Sequence, residues 1–208
     1  MIRVTSPIAE PAAFDRECRQ RGRARLAHQN PPPKRPDDYW SPFREDLRTG
    51  FARRCGYFAM YLHDGAVDHF RSWDNCKATN PQLACEWSNL RFIAPSLNSK
   101  KGTLDDQLLD PFEVHDAWFE VEIPSFVLRI TDQIPAHLRA KAEFTLDRLD
   151  LQQGRKAVAL RWEWYEQHRL GELTMAGLQR HAPLVARAVA AWQRNGNGAL
   201  PCIPRPVP

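Results

Sequence analysis

Long hydrophobic runs are missing from this chain. No stretch approaches the roughly 18 consecutive apolar residues that a membrane-spanning helix needs, which excludes an integral membrane role for any helix of the sequence. Residues 1–30, broken by Arg3, Glu10 and the charges after Phe14, hold no apolar block of the kind a secretion signal carries. The sequence is therefore expected to act in the cytoplasm, away from membranes. Paired cysteines are missing as well. Cys18, Cys55, Cys76, Cys85 and Cys202 are odd in number and irregular in spacing, which excludes a disulfide-framed scaffold and leaves each to be read as a thiol without a special role. No internal repeat is present, so solenoids are excluded. Net charge is only +4, too little to imply a nucleic-acid partner by itself.

What is present is the composition of a globular protein, 208 residues long, 43% hydrophobic and 26% charged. That length buries a core without help from disulfides or metal. The charge is unevenly placed. Residues 1–54 carry 12 Lys and Arg against 7 Asp and Glu, whereas the remainder carries 17 against 18. Arg16, Arg19, Arg21, Arg23 and Arg25 make a dense basic segment that reads equally well as a phosphate-following strip and as a solvated helix face.

Along the chain, Ala9–Gln29 predicts an arginine-rich helix, and Pro31–Pro36 a stiff connector. Ser41-Pro42 looks like a cap followed by a proline in the first turn, opening a helix to about Arg54 with Phe43, Leu47 and Phe51 on one face. Tyr57–Leu62 and Val67–Phe70 predict two strands of a hairpin turning at His63–Ala66. Leu90–Ile93 is a short apolar run. Downstream, Trp118–Ile123 alternates as a strand and Phe126–Ile130 follows as its hairpin partner. Helices are expected from about Pro135, then over 154–170 and 174–194, with Leu178, Val185, Val189 and Trp192 in register. Ala199–Pro208, with four prolines and no periodicity, is expected to lack fixed structure.

The residues with chemistry to offer cluster between 67 and 102. Hydrolysing a phosphodiester requires a base to deprotonate water and positive charge to offset the crowded phosphate. Asp68 and His69 stand at the end of a predicted strand, and Asn98 follows about thirty residues later, just before Lys100 and Lys101. Asp and Asn are hard oxygen donors suited to Mg²⁺, and two ligands leave room for phosphate and water. Neighbouring residues on a strand point to opposite faces, so Asp68 and His69 cooperate only if the chain bends there.

The strings Val67-Asp68-His69-Phe70, Ala84-Cys85-Glu86-Trp87-Ser88-Asn89-Leu90 and Leu97-Asn98-Ser99-Lys100-Lys101-Gly102 together resemble the HNH endonuclease superfamily with its ββα-metal core. They are most similar to the branch known from Septu-type and retron-linked anti-phage systems, whose HNH component accompanies an ATPase. Leu108-Leu109-Asp110-Pro111-Phe112 matches a segment usual after that core, so the likeness runs in order from about Cys55 to Phe112. The resemblance implies an endonuclease acting on nucleic acid, DNA before RNA. His69 would be the general base, Asn89 would hold the loop that orients it, and Asp68 and Asn98 would bind one divalent ion, Mg²⁺ favoured. Lys100, Lys101 and Arg71 would meet phosphate, with Arg19 and Arg23 adding sequence-independent affinity.

One departure stands out. Many relatives hold a structural zinc between two Cys-x-x-Cys pairs; here Cys55-Gly56-Tyr57-Phe58 keeps one cysteine and Ala94-Pro95-Ser96-Leu97 none. A closed zinc site needs four ligands, so structural zinc is expected to be lost, and Cys55, Cys76, Cys85 and His63 have the wrong spacing to rebuild one. This leaves a second expectation open, an HNH-fold subunit that binds nucleic acid or a partner ATPase without cleaving. The expected architecture is α+β: a basic helix and connector over 1–36, a ββα-metal core over 37–112, a hairpin and helices over 113–196, and a tail over 197–208.

Overall fold

A computed structural model describes residues 1–4 and 7–206. The fold is α+β, with eight α-helices and two small antiparallel strand pairs among the described residues. No helix among them is long and apolar enough to cross a membrane. The chain forms two compact units. The first comprises Val4–Gly56 and Leu62–Phe112; the second comprises Met1–Arg3, Tyr57–Tyr61 and the chain from Glu113 onward.

In the first unit, α1 (Arg21–Ala27) continues a wider helical turn over Asp15–Gln20. The helix therefore starts later than Ala9, because Pro11 interrupts the run before it. Phe14 and Cys18 are fully buried, Phe14 edge-on to both Phe43 and Trp87. This packing is why the chain from Val4 to Pro36 belongs to the same compact unit as the core rather than forming a separate arm. The proline-rich connector has no regular structure, yet the Trp73 indole donates to the Pro33 carbonyl at 3.1 Å. Helix α2 (Arg44–Gly50) buries Leu47 and stops short of Arg54, because Ala52 and Arg53 take positive φ values of 50° and 58°. Helices α3 (Trp73–Cys76) and α4 (Pro95–Lys101) complete the unit.

The strand partnership differs from the expected hairpin. Strand β1 (Ala66–His69) pairs not with Tyr57–Leu62 but with β2 (Leu90–Ile93), antiparallel, with Asp68 opposite Arg91 and His69 opposite Leu90. Tyr57–Leu62 cannot run as a strand because Ala59 sits at φ 59°. All four β2 residues are buried, which accounts for an apolar run without alternation.

In the second unit, β3 (Phe119–Val121) pairs with β4 (Leu128–Ile130) in antiparallel register. Helices α5 (Ala136–Arg148) and α6 (Arg155–Arg169) follow. The run read as one helix over 174–194 is two, α7 (Met175–His181) and α8 (Pro183–Arg194). Pro183 has no N–H to continue α7 and drives Ala182 to φ −143°. Arg161, 2% exposed, donates to the carbonyls of Phe126, Leu151 and Gln152, tying α6 to the strand turn. The tail is not loose over its described part. The Trp162 indole donates to Ile203 O at 2.8 Å, the Tyr165 hydroxyl to Pro201 O at 2.7 Å, and Arg205 pairs with Glu163. Buried Tyr165 and half-buried Trp162 each carry a donor that needs an acceptor, and the tail's carbonyls supply them; Val207 and Pro208 lie outside the described residues.

Candidate functional site

Strands β1 and β2 followed by α4 bring His69, Asp68, Asn89 and Lys101 into one neighbourhood. His69 closes β1. Its Nε2 lies 3.0 Å from the Ala84 carbonyl oxygen, which can only accept, so Nε2 carries the ring hydrogen and donates. In the neutral ring the free lone pair is then on Nδ1. Trp40 stands edge-on at 4.4 Å and fixes the ring plane. Burial holds the His69 pKa below its usual range, and the nearby Lys101 charge pushes the same way against the Ala84 bond.

Asn89 explains how β1 is kept in place. Its amide oxygen accepts from Arg71 N at 2.8 Å, and its amide nitrogen donates to Arg71 O at 3.1 Å and Leu83 O at 3.0 Å. Both backbone groups of Arg71, two residues after His69, are thus clamped, and the same side chain reaches the segment that offers Ala84. Leu83 through Asn89 is built of two short 3₁₀ turns, the first opened by Pro81.

Asp68 faces away from that segment. It is 3% exposed, and its Oδ1 lies 3.1 Å from the Lys101 ammonium, itself 1% exposed. Lys101 also donates to the His69 carbonyl at 2.8 Å. The second carboxylate oxygen, Oδ2, is buried without a hydrogen-bond partner. Burial raises the Asp68 pKa, with Lys101 opposing that rise. Asp68 and His69 therefore do not meet side chain to side chain; the Lys101 ammonium touches one carboxylate and the other residue's backbone. Expected as a phosphate contact, Lys101 is instead an internal counter-ion, because the last turn of α4 points it inward while Gly102, at φ 53°, ends the helix.

Asn98 is half-buried in the middle of α4. Lys100 is also half-buried on α4. Arg71 is exposed and pairs with Asp106 at 3.1 Å. The basic segment is already neutralised in part. Arg19 binds Glu10, Asp15 and Glu86 and is 17% exposed; Arg23 binds Glu86 at 2.6 Å. Arg19 is thus a tie between the N-terminal helix and the Glu86 segment, not a free cation for phosphate.

No group of three or more His, Cys, Asp and Glu among the described residues is placed to hold a metal ion. Of the two oxygen donors expected for a divalent ion, Asp68 fits it chemically in one respect: it keeps a buried oxygen without a partner. The other Asp68 oxygen is shared with an ammonium. Cys55, the remaining zinc-type cysteine, accepts a hydrogen bond from Ala94 N at 3.3 Å.

Sequence reasoning missed Arg91. It is 3% exposed, forks onto Asp110 through Nε and Nη2, donates to Ser88 O and Leu90 O, and lies 3.7 Å from the Phe112 ring centroid. A lone arginine within the apolar run Leu90–Ile93 was the available signal, since a buried guanidinium requires an acid. It also explains Leu109-Asp110-Pro111, which supplies that acid. Asp105, buried and accepting from Ser72 N at 3.0 Å, was missed too. No family model matches the chain, and a comparison with curated proteins found no matching relative.

Proposed function

We propose that the chain is an HNH-type endonuclease that hydrolyses phosphodiester bonds of nucleic acid, DNA before RNA. The observation that supports this best is the donation of His69 Nε2 to the Ala84 carbonyl, which leaves Nδ1 as the basic nitrogen in a ring braced by Trp40. A histidine with a lowered pKa and a fixed tautomer is suited to take a proton from water at neutral pH. Asn89 contributes by fixing the backbone that carries His69. Asp68 and Asn98 are the residues that would hold a divalent ion, Mg²⁺ favoured. When bound it supplies positive charge against the phosphate and the leaving oxygen. Arg71, exposed at the exit of β1, and Lys100, on α4, are the cations assigned to the substrate backbone. The resemblance to defence nucleases extends the proposal to a partner ATPase and a role in anti-phage defence.

A second reading, a subunit that binds nucleic acid or an ATPase without cleaving, is favoured by one observation: the Asp68 carboxylate is already held by Lys101. Supercoiled plasmid incubated with the protein and Mg²⁺ or Mn²⁺ separates the two. Nicking by the wild type that disappears in His69→Ala supports the nuclease. DNA retention in a gel-shift assay without nicking, unchanged by His69→Ala, supports the binding subunit.

A further inference from the structure

The segment Ala84–Glu86 touches its surroundings through three consecutive residues with different chemistry. Ala84 gives its carbonyl to His69, and Glu86 binds Arg19 and Arg23. Between them lies Cys85, 2% exposed, whose thiol shares a hydrogen bond with that of Cys18, which is fully buried. Both belong to the apolar cluster with Phe14 and Trp87. Gly22, one turn after Cys18, makes room for this contact: a Cβ there would stand 2.0 Å from Cys85 Sγ. Cys85 also borders a small cavity of ≈ 10 Å³ lined by Gly22, Arg25, Leu26, Asp37 and Tyr39, about the room of one water-sized molecule.

The two thiols are not equivalent. The hydrogen bond from Cys18 lowers the Cys85 pKa, and the charges of Arg23 and Arg19 add to the effect, against the burial that raises it. The same bond, with burial, raises that of Cys18. A thiol held toward its anion beside a small cavity, with a second thiol in contact, is the arrangement in which a peroxide oxidises one sulfur and the neighbour resolves it.

We propose that Cys18 and Cys85 are a peroxide-reactive dithiol that closes to a disulfide, stapling the N-terminal helix to the segment that orients His69. Cys85 sulfur attacks one oxygen of hydrogen peroxide; the O–O bond breaks, and the departing hydroxide takes the thiol proton as water, leaving a sulfenic acid. Cys18 sulfur attacks that sulfenic sulfur; an S–S bond forms, the S–O bond breaks, and hydroxide leaves with the Cys18 proton as a second water. Two thiols are oxidised and one peroxide is reduced to two waters. The proposal does not depend on nuclease activity.

The test uses the full-length chain carrying Cys202→Ser, which removes the exposed thiol. Reduced protein is treated with hydrogen peroxide without denaturant, then unfolded for thiol titration and mapped as unreduced peptides. Expected is a fall from four titratable thiols to two, a linked peptide pair containing Cys18 and Cys85, and recovery of all four with dithiothreitol. In addition, Cys18→Ser should leave Cys85 as a sulfenic acid trapped by dimedone, while Cys85→Ser leaves Cys18 unreacted; Cys18→Ala and Cys85→Ala serve if a serine variant fails to fold. Four thiols surviving peroxide, pairing of Cys18 or Cys85 with another residue, or reaction of Cys18 in the absence of Cys85 would overturn the assignment.

Discussion

Lys101 and Asp68 form an ion pair from which water is almost wholly excluded. Desolvation offsets most of the attraction in such pairs, so losing one member costs more than replacing both by apolar groups. Lys101→Met is expected to lower the unfolding free energy by about 3–5 kcal/mol, whereas Lys101→Met combined with Asp68→Leu recovers most of that loss; urea denaturation of the three proteins checks it. His69 adds a pH signature. Its folded pKa lies below the ordinary 6.5, so the unfolded chain binds the extra proton first. Its contribution is present above 6.5 and lost as pH falls through the folded value. In chelator-containing buffer, the stability gap between wild type and His69→Gln should narrow from pH 7.5 to pH 5; a gap that widens on acidification would contradict the burial argument. Asn89→Ala removes three hydrogen bonds to backbone and should cost about 2–3 kcal/mol in the same assay. The sequence singled out Asp68, His69 and Asn89 because their neighbours spell out a pattern, and the fold places the three close together. The direction of Lys101 was not, because Lys100 and Lys101 are chemically alike and only the rotation of one helical residue sends the second inward.

Elements were legible where periodicity is unambiguous and less so where it is short. Strand β1 was found, but its partner was misassigned to Tyr57–Leu62. Composition cannot register a backbone turn such as that at Ala59, and a strand buried on both faces, like β2, shows no alternation to read. The division of α7 from α8 was legible in principle from Pro183, yet the apolar spacing on either side conceals it. Thr174 caps α7 by accepting from Gly177 N at 3.1 Å, and Thr174→Ala should cost about 1 kcal/mol, read as a lower thermal midpoint. Arg91 fastens β2 to the segment after α4. Arg91→Ala should strand a buried carboxylate on Asp110 and cost about 3–5 kcal/mol, with Arg91→Met plus Asp110→Asn restoring part of it.

For the whole molecule, the α+β character was readable, whereas the discontinuity of the units was not. Tyr57, Ala59 and Met60 are buried, and with Tyr61, whose N–H donates to the His181 carbonyl, they belong to the unit built mainly from Glu113 onward. A short apolar segment carries no mark of which distant residues will cover it. This division also has a temporal side. A ribosome delivers Val4–Phe112 first, at about 5–20 residues per second, so the cover for Tyr57–Met60 arrives only on the order of 5–20 s later. During that interval an aromatic segment stands open on a nascent chain whose flanks are already synthesised. Tyr57–Met60 is thus the stretch of this protein with the most reason to engage a chaperone during synthesis.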